Sequence, residues 1–262
     1  MENGEDNIKM TWKIKNLKKI TPKNIIFIEG LPGMGNVGKI AADFIIDQLK
    51  AEKVMEIYSD SFPHCVFVTE NNMIELPILE IYQKVFKDRT LLFLAGDIQP
   101  TDERSCYEFC EMLLDLLEKN KIKEIITLGG IGQQKIPENP KLYCTGNDKI
   151  LIKKYCSKKV SNKIHGVVGP IIGVTGLLLG LAQQRKIPAI AILSETFGHP
   201  GYLGAKGARE MLKVLNETLK LKLTLKDLDT EIDDIEKEIK TKVKELSKVS
   251  KIPKRVDTDY IG

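Results

Sequence analysis

Short β-prone apolar runs alternate with segments of helical periodicity along most of the chain, and that alternation admits few folds. Ile25-Ile26-Phe27-Ile28 is wholly apolar and is ended by Gly30, Pro32 and Gly33. From Val37 to Leu49, apolar residues then recur at 37, 40, 41, 44, 45 and 49, the stripe of one helix face. Val54–Tyr58 reads as a second strand, and Cys65–Thr69 with Met73–Tyr82 as a hairpin turning at Asn71-Asn72, Pro77 marking an edge or bulge. Leu91–Ala95 is a buried strand, Asp102–Glu118 an amphipathic helix, and Glu124–Leu128 a strand closed by Gly129-Gly130. After an irregular stretch come a short Lys-rich helix near 148–158, a glycine-bearing helix over Pro170–Gln184, a strand at Ala189–Leu193 and a helix at Gly204–Leu219. Strands alternating with helices imply a layered, mainly parallel α/β core, with antiparallel strands added by residues 54–82.

The 262 residues exceed the usual domain of ~100–150 residues. They divide into a polar lead-in over 1–23, expected to be loosely ordered, an α/β core over 24–222, a C-terminal helix over 223–252 and a flexible tail over 253–262. In the C-terminal helix, Leu225, Leu228, Ile232, Ile235, Ile239, Val243, Leu246 and Val249 are spaced three or four apart, enough to pack one partner helix. Its first half is acidic and its second half basic, which suits the helix dipole. A helix folded back on its own domain and a coiled-coil contact to a second subunit fit this stripe equally.

Composition excludes several classes. Hydrophobic residues at 42% and charged residues at 29% are ordinary for a globular chain. The longest apolar run, near Ile171–Ala182, is too short and glycine-rich to span a membrane, and the N-terminus lacks a secretory pattern, so a cytoplasmic protein is expected. A net charge of +4 from 40 basic and 36 acidic side chains does not indicate a polyanion partner. The lysines at 149, 153, 154, 158, 159 and 163 have only Tyr155 among them, so base stacking is unsupported. Five cysteines, without a CxxC pair, are expected to be reduced structural thiols. Cys106 and Cys110 share a helix face, but no second ligand pair accompanies them and no metal is expected.

Two loops could carry chemistry. Gly33-Met34-Gly35-Asn36-Val37-Gly38-Lys39 fits a P-loop spacing, with Gly33, Gly35, Asn36, Gly38 and Lys39 as an anion cradle, but Ile40 stands where a magnesium-binding hydroxyl belongs. It also fits a dinucleotide fingerprint, with Asp60 as the ribose acid, although Leu31-Pro32 separates it from the strand. A tight turn with close helix–strand packing explains the same glycines. The second loop, Ser194–Tyr202, follows a strand end; Glu195 and His199 there are an acid/base candidate, or part of a structural turn. Ser194 lacks a nucleophile elbow.

The blocks IEGLPGMGNVGKIAADFII, LFLAGDIQP, LGGIG and GPIIGVTGLLLGLAQQRKIPAIAILSETFGHPGY, followed by the acidic-to-basic helix, together resemble the archaeal proteins homologous to the proteasome assembly chaperones. The resemblance runs from about Ile25 to the C-terminus. It implies a three-layer α/β/α core with a mainly parallel mixed sheet, similar to phosphorylase/hydrolase-like folds, plus a C-terminal helical projection. It also implies a homo-oligomer, no cofactor and no enzymatic activity. The implied partner is the α-subunits of the proteasome core particle, reached by a C-terminal tail whose carboxylate meets a lysine and whose penultimate tyrosine packs beside it. Here Tyr260 is third from the end, Ile261 is penultimate and Gly262 carries the carboxylate. The alternative is a nucleotide-binding enzyme, of dinucleotide or ATP-grasp-like type, using the Gly33–Lys39 loop.

Overall fold

A computed structural model describes residues 12–156, 159–226, 228–230 and 232. In chain order its strands are β1 (Lys13–Asn16), β2 (Ile26–Glu29), β3 (Glu52–Tyr58), β4 (Phe67–Val68), β5 (Ile74–Glu75), β6 (Leu79–Val85), β7 (Thr90–Gly96), β8 (Glu124–Gln133), β9 (Leu142–Gly146), β10 (Val160–Ser161) and β11 (Ala189–Phe197). The α-helices are α1 (Val37–Leu49), α2 (Glu103–Lys119), α3 (Lys149–Tyr155), α4 (Val174–Gln184) and α5 (Ala205–Leu219).

Nine strands form one mixed sheet in the order β1-β3-β6-β7-β2-β8-β11-β9-β10. Its centre, β7-β2-β8-β11, is parallel, and β1, β3 and β6 extend it antiparallel on one side. Helices α1 and α5 pack together on one face, α2 and α4 on the other. This is the layered α/β architecture that the alternation implies.

The central strands are apolar on both faces because helices cover both. Phe27, Leu92, Ile125 and Ala191 meet Phe109, Leu113 and Leu178 beneath α2 and α4. Asp102 caps α2 by accepting from the Ser105 N–H at 2.9 Å. Arg185, following α4, reaches back to α2, donating to Asp115 at 2.6 Å and Glu118 at 2.8 Å and pairing with Glu111.

Several elements differ from the sequence reading. The lead-in contributes β1, paired antiparallel with β3, and Trp12 packs edge-on to Phe62 with ring centres 5.5 Å apart and against Phe109 at 4.9 Å. Lysines disguise this strand; as an edge element it keeps Lys13 and Lys15 outward. Gly129-Gly130 do not close β8, which continues to Gln133 paired with β11 through Phe197. The hairpin is shorter than expected and forms its own two-stranded sheet, β4 with β5, while the residues after Pro77 enter the main sheet as β6. Of the separate unit from Thr224, Lys226, Leu228, Asp229, Thr230 and Ile232 are helical; the rest of the expected C-terminal helix lies outside the described residues.

The expectation of five reduced cysteines is corrected. Cys144 on β9 and Cys156 at the end of α3 form a disulfide, their Cα atoms 6.3 Å apart. The pairing depends on the turn at Asn147-Asp148 that folds α3 back toward β9, which spacing alone does not reveal. Titration of the purified, denatured, unreduced protein should find the three thiols of Cys65, Cys106 and Cys110. Five thiols would contradict the pairing.

Candidate functional site

The chain leaves β2 and β8 in opposite directions: β2 leads through α1 toward β3, while β8 leads toward β9 and β11. Between their carboxyl ends lies a topological switch point, the usual place for a crevice in an open α/β sheet. Strand β2 stops at Glu29, opposite Thr127, while β8 and β11 run on together to Gln133 and Phe197. The crevice in the resulting step has a volume of about 460 Å³ and is walled by Leu31, Ile131, Val168, Ile171 and Thr175.

The loop after β2 is clamped across that step. Gly35 adopts φ +63°, and a Cβ there would lie 2.4 Å from the Thr196 hydroxyl oxygen. The Gly204 N–H donates to the Gly35 carbonyl at 2.7 Å. On β8, a Cβ at Gly130 would come within 2.1 Å of the Met34 carbonyl, so a side chain there would push the loop off the strand. These contacts explain why β8 continues through residues that read as a strand end. Gly33, by contrast, has extended backbone with φ −159°.

Lys39 is already engaged. Its ammonium donates to Asp43 Oδ2 at 2.8 Å and pairs with Asp97 Oδ1 at 2.9 Å. Desolvation works to lower its pKa, but the two carboxylates override this and hold it above the ordinary value. An anion at the loop would compete with both. Asp97 directly follows β7, a strand-end acid that the sequence reading did not connect to the lysine.

The two candidate loops meet. Gly33, Gly35 and Asn36 line one side of a second cleft of about 300 Å³, and His199 and Tyr202 line the other. Glu195 and His199 are not bonded to each other. Glu195 accepts from Tyr143 Oη at 3.2 Å and from the Lys141 N–H at 3.1 Å. His199 stacks on Phe197, ring centres 5.6 Å apart, and its Nδ1 lies 2.6 Å from the Pro200 carbonyl. Among the described residues, no group of three His, Cys, Asp or Glu could hold a metal ion; Cys106 and Cys110 are buried under the sheet. The lysine cluster is partly structural: Lys154 donates to Glu124 at 2.6 and 2.8 Å, and Lys159 to Glu217 at 2.7 Å. Lys158 lies outside the described residues, as do Tyr260, Ile261 and Gly262.

Sequence reasoning missed Glu29, which is fully buried at the end of β2 under the crevice. Desolvation raises its pKa from 4.5 to about 7, opposed by hydrogen bonds from the Leu31 N–H, the Thr175 hydroxyl and the Leu128 backbone. The Leu31 N–H lies 3.0 Å from Oε1, and Thr175 Oγ1 lies 3.2 Å from Oε2. Its only signal in the sequence is an acid ending a strand of apolar residues directly before a glycine. Thr175 lines the crevice, so the carboxyl communicates with it through one hydroxyl.

The fold and crevice place the molecule among doubly covered α/β proteins, and comparison with known proteins narrows this. The chain belongs to the PAC2 family, whose model matches residues 27–243. Its structure is similar to that of PbaB from Pyrococcus furiosus, described as an archaeal proteasome activator. That likeness has 34% sequence identity, a TM-score of 0.79, and coverage of 89% of this chain and 98% of PbaB. The fold is also shared with Pyrococcus furiosus PbaA, an archaeal homologue of proteasome-assembly chaperone, at 24% identity and TM-score 0.72, over 90% of this chain and 94% of that one. An uncharacterized Methanocaldococcus jannaschii protein, MJ1210, is 29% identical over 259 residues, 97% of each chain.

Glu29 gives the fold a defined pH dependence. The folded carboxyl keeps its proton up to about pH 7, whereas an unfolded one releases it near 4.5. The fold therefore loses stability as pH rises between those values and keeps the deficit above them. Glu29→Gln should match the parent near pH 4 and become more stable by roughly 3 kcal/mol above pH 7.5, measured by urea unfolding. A difference that does not change with pH would contradict the assignment.

Proposed function

We propose that this chain is a non-enzymatic proteasome-binding protein, an assembly chaperone or activator, that acts in the cytoplasm as a homo-oligomer and engages core-particle α-subunits through Tyr260, Ile261 and Gly262. The observation that carries the reading is the likeness to PbaB over nearly the whole of both chains. The candidate loops add support by what occupies them. Lys39 is held by Asp43 and Asp97, and Glu195 accepts from Tyr143 and from the Lys141 N–H.

The energetics favour several copies acting together. A single tail buries one aromatic and one aliphatic side chain, each worth ~1.5–3 kcal/mol before ordering costs. Its carboxylate adds a charge-assisted hydrogen bond of ~1.5–3 kcal/mol. That is weak binding for one chain. Tails tethered to one oligomer gain ~10²–10⁴ in avidity when the residues from Lys251 to Thr258 span neighbouring pockets.

On native gels, the full chain should co-migrate with archaeal core particles or free α-subunits. A form lacking Tyr260-Ile261-Gly262 should not. Failure of both forms to co-migrate would overturn proteasome binding, and equal co-migration would overturn the role of the tail.

A further inference from the structure

The β4–β5 hairpin stands apart from the nine-stranded sheet and is apolar where it meets solvent. Val68, Met73, Ile74 and Leu76 are 65–70% exposed, and Val66 and Phe67 are exposed beside them. Side chains alternate along the ribbon, so Val66, Val68, Ile74 and Leu76 share one face and Phe67 and Met73 the other. A two-stranded ribbon is also marginal on its own in water.

The ladder fixes which backbone groups are free. The Thr69 N–H donates to the Met73 carbonyl, so 69 with 73 is a hydrogen-bonded pair and Phe67 with Glu75 is the next. By alternation, the N–H and C=O of Val66 and Val68 point away from β5. Among the described residues no strand pairs with that outer edge. The two edges of the ribbon differ. The β4 side, Cys65-Val66-Phe67-Val68-Thr69, has no charge and no proline, whereas the β5 side carries Glu75 and runs into Pro77. Charge and proline are the devices that block strand addition, and only β5 has them.

We propose that β4 is a self-pairing edge, joined antiparallel to β4 of a second copy about a twofold axis at Phe67. Val66 then exchanges both backbone hydrogen bonds with the partner's Val68, and Val68 with the partner's Val66, giving a four-stranded sheet β5-β4-β4-β5. A second copy fits this edge because it offers the same uncharged, apolar surface. Glu75 of each copy stays on an outer strand, so no like charges face each other across the seam. The pairing sets Val66 and Val68 of one copy directly beside Val68 and Val66 of the other on one face of the new sheet, so apolar side chains meet across the seam. The pairing deepens the homo-oligomer part of the reading above and rests on it, while its test involves no core particle and so fails separately.

The register makes a specific prediction. Cys65 faces the partner's Thr69 in a non-hydrogen-bonded pair, with Cα atoms ~4.5 Å apart, within disulfide range. Within one chain the two positions are ~13 Å apart along the strand. Cys65 is also the one exposed free cysteine. Mild oxidation of full-length T69C should give a dimer on non-reducing gels. Mass spectrometry should place its link between Cys65 and the introduced thiol, and C65S/T69C should lack that link. In an otherwise unmodified chain, V68K should weaken self-association at least tenfold by sedimentation. A V68K protein that associates like the parent, or oxidised T69C without the mixed link, would overturn the proposal.

Discussion

One close approach sets the geometry of the sheet's carboxyl edge: the backbone of residues 33–36 lies directly on β8 and β11. It is possible because residue 130 has no side chain beneath the Met34 carbonyl, and because Gly35 takes a left-handed turn against Thr196. From that contact follow the direction of α1, the position of the 198–203 loop across from it, and the step in which the crevice opens. The same geometry leaves Lys39 on the first turn of α1, within reach of Asp97 at the end of β7. A glycine pattern that reads as a phosphate cradle thus also serves as a packing joint between a helix and two strands.

The interior and the surface divide the work. Inside, two buried carboxyls are hydrogen-bonded: Glu29 by Leu31 and Thr175, Glu124 by Tyr155 at 2.7 Å and by Lys154. Outside, six exposed large apolar residues, Val66, Phe67, Val68, Met73, Ile74 and Leu76, gather on one hairpin, the kind of clustering that marks contact surfaces. Membership in the PAC2 family and the likeness to PbaB agree with such a division.

The fold was legible where periodicity alone determines an element. Strands β2 and β7 are built on unbroken apolar runs, Ile26–Ile28 and Leu91–Ala95, and α2 and α5 show clean helical stripes with caps or glycines at their starts. It was illegible where tertiary contact overrides local signals. Gly129-Gly130 look like a terminus until a loop is seen lying on them, and Lys13–Asn16 look like solvated chain until β3 is beside them. For the candidate site, the loops read at 33–39 and 194–202 were visible from their turn residues, although residues 194–197 continue β11, and their meeting in one cleft was not visible. Glu29 and the Cys144–Cys156 pair depend on burial and on chain reversal, which no spacing encodes.

The central claim is that several copies of this chain act together on a proteasome core particle. Electron cryomicroscopy of the full-length protein mixed with core particles tests it most directly. The account predicts density for a multimer seated on an α-ring, with chain ends entering the grooves between adjacent α-subunits. Core particles with bare α-rings at saturating protein would contradict it.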